Sequence, residues 1–428
     1  MATNQVVTPQ WITRESLRIL HQKSNFLGRV NRQYDDRFVV AGAKVGTTLD
    51  VRLPNKYIIR TGAPISTQNT VERYVSLPVA TQKGVDTNFS SIELTMQVDD
   101  FSERVLRPAV ARLGANIEAD ALNMVKSTAQ TVGTATSTVG FNTITFANRI
   151  LDDQLAPRDG LRTLTLGTQG VRDFMTDTKG LFHAGKALEE QFLEGELDDV
   201  LGFNTYSNSL LVPYTVGQWG GSTGTGSTPT MLTTGTPQGY SGVGNAYYAT
   251  QTISTVGWAS GSTTLNAGDV FTIAGVYAVH DETKANLGYL KQFVVQTTVS
   301  DTAGAIASLS IYPALIAGGA YQNVSALPAT SAAITMFAPS TTSSAASVVA
   351  QNIAFHRDAY IFASADLILP GSINKEEFAE REEFEGISLR VVRRFDINND
   401  FMPCRIDVLY GYTPALLETS VRTISLIS

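Results

Sequence analysis

The sequence predicts an α+β fold whose main body is interrupted by an inserted all-β module. Three observations lead there. First, residues 1–210 hold 45 charged side chains and residues 351–428 hold 20, whereas the 140 residues between hold six: Asp269, Asp281, Glu282, Lys284, Lys291 and Asp301. Second, that charge-poor stretch is rich in Gly, Ser, Thr and Ala with short β-branched and aromatic runs, a composition that suits strands and tight turns. Third, charged, helix-capable sequence lies on both sides of it, which favours a domain set inside another. Two consecutive domains or a long linker are the plainer alternatives, and the strand-like runs FTIAGVYAV (271–279) and KQFVVQTTV (291–299) speak against a linker.

The elements follow in order. Thr8-Pro9 reads as a helix start, with Ile12, Leu17, Leu20 and Leu27 as a loose stripe, so 9–30 is expected to be helical. Leu49, Val51 and Leu53 then alternate with Asp50 and Arg52, and Val75 to Val79 forms a returning strand. The stretch between them, Lys56 to Tyr74, is polar, so the hairpin needs another surface to lie on. Asp100 and Glu103 have capping-box spacing, and Leu106, Val110, Leu113, Ile117, Ala121 and Met124 form one apolar stripe. Pro108 lets the regular helix begin only near Arg107. Residues 147–156, 170–183 and 185–194 are expected to be helical, with a turn at 157–160 and a strand at 161–166. Residues 387–392 and 404–410 alternate as strands around the turn Asn398-Asn399-Asp400.

At 428 residues the chain exceeds what one core usually serves, so two or three domains are expected. No apolar run is long enough to span a bilayer, and MATNQVVTPQWITRES lacks the pattern of a signal peptide. One cysteine, Cys404, excludes an internal disulfide and suits a reducing compartment. A net charge of −7 argues against sequence-specific DNA binding while leaving room for a wall that encloses nucleic acid.

Catalytic patterns are not found. His21, His183, His280 and His356 lack metal-site spacing, and His280-Asp281-Glu282 reads as a polar turn. The run Gly220 to Gly226 has no lysine or following helix to make it a phosphate loop. Two acidic clusters, one over 189–199 and one over 376–385, read as solvated faces; paired carboxylates of a glycosidase or a calcium site are the alternatives. No catalytic, cofactor-binding or metal residue is assigned, and no cofactor is expected.

Four segments in order resemble the coat proteins of tailed phages: ITRESLRIL…FLGRVNRQYDD with GTTLDVRLPNKY, LTMQVDDFSERVLRPAVARLGANIEADAL, LEGELDDVLGFNTYSN, and ISLRVVRRFDINNDFMPCRIDVLYGY. The segments LNAGDVFTIAGVYAVHDETKANLGYLKQFVV and NIAFHRDAYIFA resemble the inserted domain of the podovirus type and the exit from it. Residues 217–262 align least. The resemblance implies the phage major capsid (Johnson) fold: an N-terminal arm (1–44), an extended β-hairpin loop (45–90), peripheral and axial domains (91–213 and 347–428) with a long spine helix (103–130), and an inserted antiparallel β-barrel (214–346).

Its implied work is to build the icosahedral head shell around double-stranded DNA. The implied partners are copies of itself in hexameric and pentameric capsomers, a portal protein at one vertex, DNA contacted non-specifically, and no membrane. The arm-like sequence begins within the first ten residues, which implies a separate scaffolding protein rather than a fused one. Assembly is expected in the bacterial host cytoplasm and residence in the virion shell. The hairpin is locally basic, so Lys56, Arg60 and Arg73 are expected to meet an acidic patch on a neighbour, either Glu194, Glu196 and Asp198 or Glu382 and Glu383. The alternative function is a tail or surface adhesin, on the strength of Trp219, Tyr240, Tyr247, Tyr248 and Trp258 set among small polar residues as sugar platforms.

Overall fold

The computed structural model describes residues 26–32, 48–65, 67–68, 73–90, 107–133, 138–178, 201–219, 229–232, 250–261, 263–337, 348–367, 369, 378–384, 387–394, 396, 398–399 and 401–427. The helix expected over 9–30 lies mostly outside these residues, and its described end, 26–30, is a turn rather than helix; the helix expected over 185–194 lies wholly outside them. The chain forms two compact units, one of residues 1–50, 76–123 and 360–413, the other of 51–75, 124–359 and 414–428.

The hairpin strands are β1 (Thr48–Leu53) and β2 (Arg73–Pro78), which pair with each other. In the first unit, β3 (Thr81–Ser90) is followed by helix α1 (Arg107–Leu122), which then tightens into a 3₁₀ turn over Asn123–Ser127. The expected stripe is the buried face: Val110, Leu113, Ile117 and Ala121 are all within 4% of full burial. Helical geometry stops at Ser127 rather than at 130. Thr128, Thr131 and Val132 are β-branched and disfavour a further turn, and Thr131–Gly133 forms strand β4 instead. α1 is tied to its unit by polar contacts. Lys83 Nζ lies 2.6 Å from Asp120, Tyr410 Oη donates to the same carboxylate at 2.5 Å, and the Phe26 amide donates to buried Glu118 at 2.8 Å.

After β4 the second unit runs through α2 (Phe141–Asp153), β5 (Arg162–Leu166), α3 (Thr168–Thr178), β6 (Asn204–Ser207) and β7 (Tyr214–Thr215). α2 begins six residues before the expected 147, because Asp177 on α3 reaches back to accept the Phe141 amide at 2.8 Å. A carboxylate from elsewhere in the chain thus does the work of an N-cap.

The barrel strands come next: β8 (Thr230–Met231), β9 (Gln251–Val256), β10 (Thr264–Leu265), β11 (Val270–Val279), β12 (Asn286–Val295), β13 (Val299–Ser300), β14 (Ala305–Tyr312) and β15 (Ile334–Met336). Six of them form one sheet in the order β15-β11-β12-β14-β9-β8. Its two ends then meet: Thr230 bridges Ala333, and the Met231 amide donates to Ala332 O at 3.0 Å. The sheet is therefore almost closed. Inside it Phe271 faces its register partner Phe293 with ring centroids 5.8 Å apart, among Ile273, Val295, Leu309 and Ile311.

The return path is β16 (Val348–His356), then β17 (Tyr360–Ala365), β18 (Phe378–Phe384), β19 (Ile387–Arg393), β20 (Phe401–Pro414) and β21 (Ser420–Leu426). β17, β20, β19 and β18 make the sheet of the first unit in that order, with β3 also on β20. In the second unit, β4, β21, β16, β5 and β6 stand in one sheet, and β7 pairs with β16. Val348 sits opposite Thr215 and Val349 opposite Tyr214, so the chain enters and leaves the barrel on two paired strands. That explains how a module of this size fits inside another domain without parting its sheet.

Three buried polar side chains hold the barrel to that sheet. Asp269 accepts from Tyr214 Oη at 2.8 Å, the Gly217 amide at 3.1 Å and the Asn266 amide at 2.8 Å. Arg422 on β21 donates to Gly268 O at 2.7 Å, and its guanidinium lies 5.2 Å from the Tyr214 ring centre. Burial raises the Asp269 carboxyl above the usual range despite these donors. Gly217 has no alternative: a Cβ there would stand 2.3 Å from Asp269 Oδ2.

Candidate assembly surface

The loop carried by β1 and β2 exposes a row of large apolar side chains. Tyr57 is 57% exposed, Ile58 53%, Ile59 88% and Ile65 85%. The loop is ordered by its own polar groups. The Ile58 amide donates to Gln68 Oε1 at 2.9 Å while the Gln68 amide donates back to Ile58 O, a side-chain copy of a strand pair. Arg60, which is exposed, folds onto the carbonyls of Gly62 and Pro64 (2.9 Å to the latter), around a turn that needs φ +97° at Gly62.

The base of the loop is polar and buried. Lys56 Nζ lies 2.7 Å from Asp281 and 3.5 Å from Glu418, and its amide donates to Tyr321 Oη at 3.4 Å. Arg73, 2% exposed, lays its guanidinium 4.8 Å over the Tyr321 ring and donates to Pro54 O at 3.1 Å. Lys284 shares Asp281 at 3.3 Å. Burial pushes the Asp281 carboxyl up, but Lys56 and Lys284 outweigh it and hold the group below the ordinary carboxylate range. Glu418 moves the other way, burial prevailing over Lys56 and Arg73. Buried Lys291 is pushed down to about 8 by desolvation and then by the like charge of Lys56, with Asp281 opposing.

Of the three basic residues expected to face a neighbour, the structure leaves Arg60 exposed and engages Lys56 and Arg73 inside the subunit. The sequence could not show this, because Lys56 meets Asp281 across 225 residues. Glu194, Glu196 and Asp198 lie outside the described residues. The backbones of Glu382 and Glu383 belong to β18, opposite Leu389 and Ser388. Of the proposed sugar platforms, Trp258 is 4% exposed inside the barrel core with its indole N–H on Thr255 Oγ1 at 2.8 Å, so it offers no face to a ligand. Trp219 packs partly buried on the same core, and Tyr240, Tyr247 and Tyr248 lie outside the described residues.

The chain is a major capsid protein that forms a phage head shell and resides in the virion, as the family whose model matches it shows. The chain belongs to the P22 coat protein family (P22 coat protein - gene protein 5), which matches residues 1–418. It is similar to solved capsid structures of low identity. A Mycobacterium phage Che8 chain is 11% identical, with 94% of this chain and 90% of that one covered and a TM-score of 0.45. The Cyanophage Pam1 capsid asymmetric unit gives 9%, 94%, 92% and 0.45. The CUS-3 coat protein I-domain is 24% identical over 28% of this chain and 94% of that one, with a TM-score of 0.18. No curated protein matches.

Proposed function

We propose that the extended loop is the element with which one copy grips the next in the shell. The observation that carries this is the bare row Tyr57, Ile58, Ile59 and Ile65. Burying such side chains is worth about 1.5–3 kcal/mol each, and the subunit's described residues leave them in water. Arg60 beside them is the candidate for an acidic patch on the neighbour, Glu194, Glu196 and Asp198 or Glu382 and Glu383. Replacing Ile59 and Ile65 together by Ser should leave the melting of unassembled protein unchanged and abolish shells in electron micrographs. Normal shells from that variant would overturn the reading.

The family supports the finer assignments. Hexameric and pentameric capsomers would be built with a separate scaffolding protein and a portal at one vertex, in the host cytoplasm. Packaged double-stranded DNA would be touched without sequence readout, as the net charge of −7 allows. The arm (1–44), extended loop (45–90), peripheral and axial parts (91–213 and 347–428) and barrel (214–346) keep the roles the family implies, the barrel projecting from the outer surface.

A further inference from the structure

We propose that Asp281 is the positioning residue of the extended loop: with Lys56 it latches the loop's base to the barrel of the same subunit, so the barrel sets how the loop is presented. The inference rests on the loop being the gripping element and assigns the inserted barrel a part in that work.

Three features support it. Lys56 stands immediately before the exposed run Tyr57–Ile59, so whatever fixes its ammonium fixes the root of that run. The acceptor is held firmly in turn. Asp281 lies in the turn after β11, where His280 Nδ1 accepts the amides of Glu282 and Thr283 at 3.3 Å and the His280 amide donates to Ala285 O at 2.8 Å. Finally, Tyr321 holds both ends of the loop at once, its hydroxyl taking the Lys56 amide and its ring lying under Arg73.

The charge balance makes Asp281 the sensitive member. Four cations, Lys56, Arg73, Lys284 and Lys291, gather around two carboxylates, and Asp281 is the closer to Lys56 at 2.7 Å against 3.5 Å for Glu418. Neutralising it removes the nearest carboxylate from both Lys56 and Lys284 and leaves Lys56 with the longer contact to Glu418. Both side chains of the latch are mostly buried, 17% and 32% exposed, so salt screens the pair less than it would a surface pair.

The test is amide hydrogen exchange on the unassembled full-length chain. Asp281→Asn should speed exchange over residues 55–60 by about tenfold, as expected when a local contact is lost, and leave β16 and β21 unchanged. Glu282→Gln makes the same charge change in the same turn without touching Lys56, and should do nothing. Asp281→Glu, which keeps the carboxylate within reach of Lys56, should keep exchange slow, whereas a role in packing alone would reverse the order, the isosteric Asn staying slow. If Asp281→Asn folds poorly, Lys56→Met should loosen the same peptide. Loop exchange unchanged in both single variants overturns the latch. Because exchange is read before assembly, a loosened loop in a variant that still forms shells at the normal threshold supports the latch and counts against the gripping role.

Discussion

The barrel and the five-stranded sheet of the first unit solve the same problem in opposite ways. Both are antiparallel surfaces whose end strands would otherwise offer unpaired amides and carbonyls to other chains. The barrel joins β8 to β15 and so has almost no edge, which leaves it free to be nearly devoid of charge. Among the described residues the sheet β17-β20-β19-β18 has no strand beyond β18, and that strand reads FAEREEF. Charge on an end strand discourages uncontrolled pairing. Inside that sheet Asp407, 1% exposed, is held by Arg390 at 2.6 Å and Arg405 at 2.7 Å. The lesson is that charge content along this chain follows sheet closure as well as exposure to water.

The hardest test of that contrast is to cut the barrel free. Residues 214–346 expressed alone should show a β-type circular dichroism spectrum and a cooperative melt, since the buried cluster around Phe271 and Phe293 is contained within them. A featureless spectrum would show that closure alone does not make the module self-sufficient.

Next in size are the single substitutions inside the open unit. Leu113→Asp should cost at least several kcal/mol by burying an unpaired carboxylate, seen as insoluble protein, whereas exposed Arg112→Lys should leave denaturant melting unchanged. Asp407→Ala removes a buried carboxylate that Arg390 and Arg405 share and should cost about 3–5 kcal/mol in the same melt. A loss near zero would mean the open sheet does not depend on this pair.

pH gives a smaller and directional effect on the barrel side. Lys291 loses its proton near 8 in the folded chain, whereas in the unfolded chain it holds it to about 10.4. Between those values the unfolded state binds more protons, so this residue makes stability rise with pH. The penalty of burying its charge is fully present below about 8 and relieved above it. Lys291→Met should flatten that part of a pH series of melts. The smallest thermodynamic change is expected for Glu382→Thr with Glu383→Thr, within about 0.5 kcal/mol. Its effect should appear instead in light scattering, as faster association through the open edge.

Much of the fold was legible in the sequence because it depends on neighbours along the chain. Alternation at Leu49, Val51 and Leu53 placed β1, and the stripe from Val110 to Ala121 placed the buried face of α1. The shortage of charge between residues 211 and 350 marked the region that contains the barrel. Errors arose where a distant group intervened. α2 starts at Phe141 because Asp177 caps it, and β12 starts at Asn286, through a Gly288 at φ +81° that no local pattern favours in a strand.

The candidate surface divides the same way. Sequence alone determined that residues 56–74 are polar and locally basic, whereas the exposure of Ile58, Ile59 and Ile65 came only with the structure. Which cations face outward was decided by tertiary structure: Lys56 and Arg73 turn onto Asp281, Glu418 and Tyr321, and Arg60 stays exposed. The physical reason is separation along the chain. Periodicity and composition report a residue's immediate neighbours, whereas an ion pair formed across 225 residues exists only once the barrel has closed and brought Asp281 to the loop.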